Sequence, residues 1–80
     1  MDGVKILVIE DDADIREGVR ILLESEGFLV DEAENGETGL RKLAEDISLV
    51  ILDIMMPGIS GIRVCEEIRK KSSVPILFLT

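Results

Sequence analysis

Short apolar runs and amphipathic stretches alternate along the chain, and this pattern predicts the fold. Four apolar runs are typical of buried strands, at residues 4–9, 28–31, 49–52 and 74–79. Between them, apolar side chains recur at helical spacing, which predicts one helix after each of the first three strands. Strands that alternate with helices form a parallel sheet on which the helices pack. We therefore expect an α/β fold with a doubly wound parallel sheet.

Polar residues and a glycine indicate where the first helix begins and ends. Asp14 is the expected N-cap, with Glu17 three residues later as in a capping box, and Asp12 is the other candidate for the cap. Gly27 is expected to stop the helix, because glycine readily adopts the backbone conformation that follows a last turn. The first helix should therefore lie between these positions.

Turn residues separate the remaining helices from the strands. Asn35-Gly36 predicts a turn before a short second helix. The stretch 54–61 contains Pro57 and two glycines, so it is predicted to be a loop. The third helix follows this loop, and three residues are predicted to form its buried face: Ile62, Cys65 and Ile68.

The charge of the chain limits the partners that it can have. Its 80 residues allow one domain at most, and the net charge is −8. The imbalance is local, because residues 1–40 hold 12 acids and 3 bases whereas residues 41–80 hold 5 acids and 6 bases. Such an acidic surface repels phosphate backbones, so direct binding to nucleic acid is not expected. A site for Mg²⁺ or Ca²⁺ is compatible with it.

Cysteine content and apolar run lengths indicate the cellular setting. Cys65 is the single cysteine, so no internal disulfide can form, which is typical of a reducing compartment. The start at 1–3, Met-Asp-Gly, lacks the basic and then apolar pattern of a signal peptide. No apolar run approaches the ~18 residues of a membrane span. We expect a cytoplasmic protein with no membrane partner.

Three of the predicted strands end in side chains that bear oxygen. Glu10-Asp11-Asp12 follows the first strand, Asp53 the third and Thr80 the fourth. Ligands of open parallel sheets bind beyond the carboxyl ends of the strands, so these groups converge if the three strands are neighbours. Clustered carboxylates repel one another unless a cation compensates, and an all-oxygen donor set favours Mg²⁺ over Zn²⁺. A carboxylate in such a site can act as the nucleophile in phosphoryl transfer.

Three segments resemble the receiver domain of bacterial two-component response regulators. They are KILVIEDD at 5–12, LDIMMPGISG at 52–61 and VPILFLT at 74–80. The middle segment is the most specific, because an Asp followed by two Met, a Pro and a Gly at these spacings is hard to obtain by accident. The first and third segments further resemble the subfamily whose output is a winged-helix transcription factor. The resemblance implies a flavodoxin-like sheet with strand order 2-1-3-4-5.

The resemblance also implies a role for individual residues. Asp53 matches the aspartate that accepts the phosphoryl group, and Asp11 matches a direct ligand of Mg²⁺, with Glu10 as its partner through water. The backbone carbonyl of Met55 matches the third protein ligand, and Thr80 matches the switch hydroxyl. The implied donor is the phosphohistidine of a sensor histidine kinase. The domain would be a phosphoacceptor that phosphorylates and dephosphorylates itself, and not an enzyme with a separate substrate.

The sequence departs from the family at its end. Receivers have a fifth strand that ends in a lysine, whereas this sequence stops at Thr80, after the fourth strand. We therefore expect residues 1–80 to be a partial receiver domain that switches poorly, with a DNA-binding output domain if the parent protein is longer. The open fourth strand also predicts an oligomer or a segment-exchanged dimer.

Three other functions are weighed against the receiver. A Mg²⁺-dependent phosphohydrolase with an aspartyl nucleophile usually has a second Asp two residues later, where this chain has Met55. A flavin-binding module needs a phosphate loop after the first strand, and Glu10-Asp11-Asp12 would repel a phosphate there. A non-phosphorylated interaction domain is favoured by the missing lysine and disfavoured by the intact acidic residues.

Overall fold

A computed structural model describes residues 3–79 of the chain. Over this range a parallel sheet of four strands, in the order β2-β1-β3-β4, carries three helices. The strands are β1 (Lys5–Ile9), β2 (Leu29–Ala33), β3 (Ile47–Asp53) and β4 (Ile76–Leu79). The helices are α1 (Ala13–Ser25), α2 (Gly36–Lys42) and α3 (Gly61–Arg69). The predicted flavodoxin-like α/β arrangement is confirmed, and the order matches the first four positions of 2-1-3-4-5.

The strand boundaries differ from the predicted ones by at most two residues. β2 continues through Asp31 and Glu32 to Ala33, because these residues pair in register with β1 even though two of them are acidic. β4 begins at Ile76, after Pro75, and not at Val74. Proline has no amide hydrogen to donate to a neighbouring strand, so regular pairing starts beyond it.

The predicted cap of α1 is wrong, and the second candidate is right. Asp12 has an extended backbone, and its side chain accepts hydrogen bonds from the N–H groups of Asp14 at 2.9 Å and Ile15 at 3.1 Å. Asp14 lies in the first turn of the helix, where its negative charge suits the helix dipole. Gly27 follows the helix with φ 90°, which confirms the predicted stop.

The buried face of α3 also differs in part from the prediction. Ile62 is 52% exposed, so its assignment to the core is wrong, whereas Ile68 is fully buried and Cys65 is half-buried. The buried residues are Gly61, Val64 and Ile68, so the buried face keeps Ile68 but otherwise lies one position earlier than predicted. The predicted turn at Asn35-Gly36 is the start of α2, which Asn35 caps through the N–H of Thr38.

Two apolar clusters form the interior, and they differ in size. The larger cluster includes Leu7, Ile9 and Leu52 and packs with α2 and α3. The smaller one has three buried residues, Ile6, Val8 and Ile51, against which Val19 and Leu23 of α1 pack. None of the residues of α1 is itself buried. Within residues 3–79, none of the helices is both long and apolar enough to cross a membrane.

Candidate functional site

The register of β1 and β3 brings the predicted acidic residues together. Ile9 pairs with Leu52, so Glu10, just beyond β1, lies beside Asp53, the last residue of β3. Carboxylate oxygens of Glu10, Asp11 and Asp53 all lie within 4.8 Å of one another. Glu10 is 3% exposed and Asp53 is 8% exposed, whereas Asp11 is exposed to solvent. We refer to these three residues as the acidic cluster.

Burial and crowding change the proton affinity of Glu10. They raise the pKa of its carboxyl from 4.5 to about 7. The largest cause is burial, which disfavours the charged form, and a hydrogen bond and charge repulsion from Asp53 and the charge of Asp11 act in the same direction. The N–H of Asp12, which donates to Glu10 Oε1 at 3.1 Å, acts in the opposite direction. The neutral form of the Glu10 carboxyl therefore persists to a higher pH than it would in an unfolded chain.

The donor set of the acidic cluster fits a hard divalent cation. It consists of carboxylate oxygens, and the sequence contains no histidine. Oxygen ligands of this kind bind Mg²⁺ or Ca²⁺ rather than zinc or copper. A cation placed among the three carboxylates would favour the ionised form of Glu10, which burial and the neighbouring acids disfavour.

Packing fixes the position of Asp53. Gly61, at the start of α3, lies so close to β3 that a Cβ atom there would overlap the carbonyl oxygen of Asp53 and lie 2.6 Å from Ile54 Cα. The Gly61 N–H also donates to the Ile54 carbonyl at 3.1 Å. The loop 54–60 thus closes directly against the backbone that carries the Asp53 carboxylate. Sequence reasoning treated Gly61 as the end of a loop and missed this contact.

Met55 lies beside the Asp53 carboxylate, as predicted. Its N–H donates to Asp53 Oδ1 at 3.0 Å, while its side chain is 79% exposed and that of Met56 is buried. The predicted use of the Met55 carbonyl as a metal ligand stays a prediction. Thr80, the predicted switch hydroxyl, lies outside the described residues. Leu79 pairs with Asp53, so the described end of β4 lies next to the acidic cluster.

The turn that carries Glu10 and Asp11 is held by polar contacts. Arg16 Nη1 donates to the backbone carbonyl of Glu10 at 2.8 Å, and Arg16 Nε lies 3.3 Å from Glu32 Oε1 on β2. Sequence reasoning missed Arg16 as a site residue. Its position one helical turn after the cap Asp12 could have suggested that its side chain lies near the turn. Its contact with Glu32 could not be predicted in this way, because it depends on the pairing of β1 with β2.

A separate cleft of about 200 Å³ lies where β2 meets α1 and α2. Its lining residues are Arg16, Glu32, Ala33, Glu34, Thr38 and Lys42. No member of the acidic cluster lines it. Its cations are already paired, Arg16 with Glu32 and Lys42 with Asp31, so this cleft is not assigned a ligand.

Comparison with known proteins gives consistent matches along the chain. The sequence profile of the response regulator receiver domain matches residues 6–80. The transcriptional regulatory protein ResD of Bacillus subtilis (strain 168) is 49% identical over 77 residues, which cover 95% of this chain and 32% of ResD. The chain thus spans about a third of the length of the curated relatives that it matches.

Solved structures agree in both fold and sequence. The response regulator TrrA of Thermotoga maritima, in complex with Mg²⁺ and BeF, matches with a TM-score of 0.90 and 49% identity over 100% of this chain and 70% of the TrrA chain. A structure of the histidine kinase ThkA in complex with TrrA matches with a TM-score of 0.88 and 49% identity, over 100% of this chain and 69% of the matched one.

Proposed function

The chain belongs to the response regulator receiver domain family, and on this premise we propose that Asp53 accepts a phosphoryl group from a histidine kinase. The observation that carries the proposal is the acidic cluster, in which Glu10 and Asp11 meet Asp53 at the carboxyl end of the sheet. TrrA, to which the chain is 49% identical, forms a complex with the histidine kinase ThkA. We infer that this chain also has a kinase as its phosphodonor.

In the proposed reaction, a carboxylate oxygen of Asp53 attacks the phosphorus of phosphohistidine. An O–P bond forms, the N–P bond breaks, and its electron pair returns to the imidazole, so the product is an acyl phosphate. The N–H of Met55, which donates to Asp53 Oδ1 at 3.0 Å, holds the carboxylate in one orientation. Packing against Gly61 prevents the backbone below it from moving away.

We infer that Mg²⁺ binds at Asp11, Asp53 and the Met55 carbonyl, with Glu10 as a partner through water. When bound, Mg²⁺ would neutralise the negative charge that gathers as a phosphoryl group approaches a carboxylate. The support is the oxygen-only cluster of this chain and the Mg²⁺ in the TrrA complex. Addition of MgCl₂ should raise the melting temperature, because a ligand of the native state stabilises it, and Asp11→Ala should abolish the increase.

The domain would therefore act as a phosphoacceptor, with self-phosphorylation and self-dephosphorylation as its chemistry, and not as an enzyme with a separate substrate. We infer an output domain that binds DNA in the whole protein, because relatives such as ResD are transcriptional regulators. Because an output domain of this kind must reach DNA, we infer a cytoplasmic location for the whole protein. Direct contact of residues 1–80 with nucleic acid is not part of the proposal, given the net charge of −8.

Residues 1–80 alone should react slowly and associate. The lysine that ends the fifth strand of the family is not among them, and loss of a preorganised cation should cost about a hundredfold in rate. Leu77 and Phe78 of β4 are exposed, so we infer an oligomer or a segment-exchanged dimer through this strand. A stable monomer of 8.8 kDa in size-exclusion chromatography with light scattering would contradict the association.

The test is phosphate incorporation in the protein as encoded. Acetyl phosphate with MgCl₂ should add one phosphoryl group, detected by intact mass, and Asp53→Asn should remove the addition. The matched control is Asp12→Asn, which removes a charge from the same edge but keeps a good N-cap. Equal incorporation in wild type and Asp53→Asn would refute the assignment.

A further inference from the structure

Arg16 connects three elements next to the acidic cluster. It lies on α1, donates to the carbonyl of Glu10 just beyond β1, and pairs with Glu32 on β2. Its side chain is 18% exposed, so the guanidinium is partly enclosed by these contacts. Arginine presents several donors in a rigid plane, which suits two acceptors that lie in different elements.

The turn that Arg16 contacts is short and carries two of the three carboxylates. Residues 10–12 join Ile9 of β1 to Ala13 of α1. Within this turn, the Asp12 N–H donates to Glu10 Oε1 at 3.1 Å, and the Asp12 side chain caps α1. Two hydrogen bonds hold Glu10 from outside the turn: its N–H donates to the Ala33 carbonyl of β2 at 3.1 Å, and Arg16 Nη1 donates to its carbonyl at 2.8 Å. The first bond fixes where the turn begins, and the second fixes the peptide that leads to Asp11. Loss of the Arg16 bond would therefore release Asp11 and reorient Glu10.

We propose that Arg16 is a positioning residue that sets the divalent-cation affinity of the acidic cluster by fixing the turn at 10–12. The inference rests on the proposed function, since it concerns the cation that this function uses. Partners that orient metal ligands without touching the metal commonly change metal affinity by about tenfold to a hundredfold when they are removed. Arg16 would belong to this class through the Glu10 backbone.

If Arg16 acted only through its charge, its removal would strengthen Mg²⁺ binding, whereas the proposal predicts weaker binding. The sign of the change therefore tests the proposal. Removal of a cation near a metal site should strengthen Mg²⁺ binding if electrostatic repulsion dominates. Glu32 lies 3.3 Å from Arg16 and offsets part of its charge, although Arg20 shares this carboxylate. We expect the loss of geometry to outweigh the loss of repulsion. Mutation of Arg16 should then weaken binding.

The experiment compares Arg16→Gln with Arg20→Gln in the full chain. Arg20 lies on the same helix and also pairs with Glu32 at 3.3 Å. Its other ion pairs are with Glu24 and Glu17, and its side chain is not the one that donates to the Glu10 carbonyl. Titration with MgCl₂, followed by amide chemical shifts, should show affinity reduced about tenfold in Arg16→Gln and changed less than about twofold in Arg20→Gln. Arg16→Lys keeps the charge but not the planar donor group, so it should not restore the affinity.

A second readout separates this inference from the proposed function. Without metal, the Asp12 amide should exchange faster with solvent in Arg16→Gln than in wild type or Arg20→Gln, because the turn is less ordered. Glu32→Gln should weaken Mg²⁺ binding in the same direction, and it replaces Arg16→Gln if that variant does not fold. Unchanged or tighter Mg²⁺ binding with unchanged Asp12 exchange would overturn the inference. A folded wild type that binds no Mg²⁺ would overturn the proposed cation site and the affinity effect, whereas Asp12 exchange would still decide whether Arg16 fixes the turn.

Discussion

The two sides of the acidic cluster are held in place by different forces. On the β3 side, Asp53 is fixed by the close contact of Gly61 with its backbone and by the buried residues before it. On the β1 side, the turn with Glu10 and Asp11 is fixed by hydrogen bonds and by the ion pair of Arg16. Packing is insensitive to charge, whereas polar contacts change with pH and bound ions. Asp53 is therefore rigidly placed, and the turn with Glu10 and Asp11 is the adjustable part.

The largest effect is expected from a substitution that disrupts the packing on the β3 side of the cluster. Gly61→Ala should lower the free energy of unfolding by roughly 2–3 kcal/mol, because the new Cβ atom would overlap backbone atoms that cannot rotate away. The melting temperature should fall by about 10 °C or more. Urea denaturation measures the change.

The matched control for this variant is Gly18→Ala in α1, where a Cβ atom would have nothing within 4 Å. Glycine in a helix costs about 0.5–1 kcal/mol relative to alanine, so this variant should be more stable than wild type. Two alanine variants that changed stability in the same direction would contradict the account of Gly61.

The next largest effect is the pH dependence of stability on the β1 side of the cluster, where Glu10 ionises. Since the folded-state pKa of Glu10 is raised from 4.5 to about 7, the folded protein binds its proton more tightly than the unfolded chain. Below about pH 4.5 both states are protonated, and from there to about pH 7 the metal-free protein should lose stability as ionisation becomes costly. The melting temperature should fall by several degrees over this window.

The control variant for the pH effect is Glu10→Gln, which keeps a neutral side chain of the same shape. The part of the pH dependence between 4.5 and 7 that wild type shows and Glu10→Gln lacks belongs to Glu10. MgCl₂ should reduce the loss in wild type, because a cation favours the ionised carboxyl. An identical pH dependence in both proteins would show that Glu10 is not responsible.

The smallest effect concerns the charge of Asp53 itself. Asp53→Asn removes one of three crowded charges and keeps an oxygen that can accept from the Met55 N–H. The metal-free variant should be more stable by about 1 kcal/mol, which corresponds to a few degrees. Thermal unfolding in a chelator measures it. A less stable Asp53→Asn would mean that the carboxylate contributes stability and that repulsion in the cluster is minor.

Much of the fold and the cluster could be predicted from the sequence, because both follow from local patterns. The apolar runs located the strands, and the acids at strand ends met once Ile9 paired with Leu52. The cap of α1 was predicted wrongly as Asp14, since Asp12 and Asp14 are both good caps and the length of the turn selects between them. Arg16 and Gly61 were missed because their roles depend on how a helix packs against the end of the preceding strand, which local sequence patterns do not show.

The most direct test of the central claim is to locate the phosphoryl group on the protein. The encoded protein is treated with acetyl phosphate and MgCl₂, the acyl phosphate is reduced with borohydride, and the modified residue is identified by peptide mass spectrometry. The account predicts modification at Asp53 that depends on Mg²⁺. Modification at Asp11 or another acid, or the same Asp53 modification without a divalent cation, would contradict it.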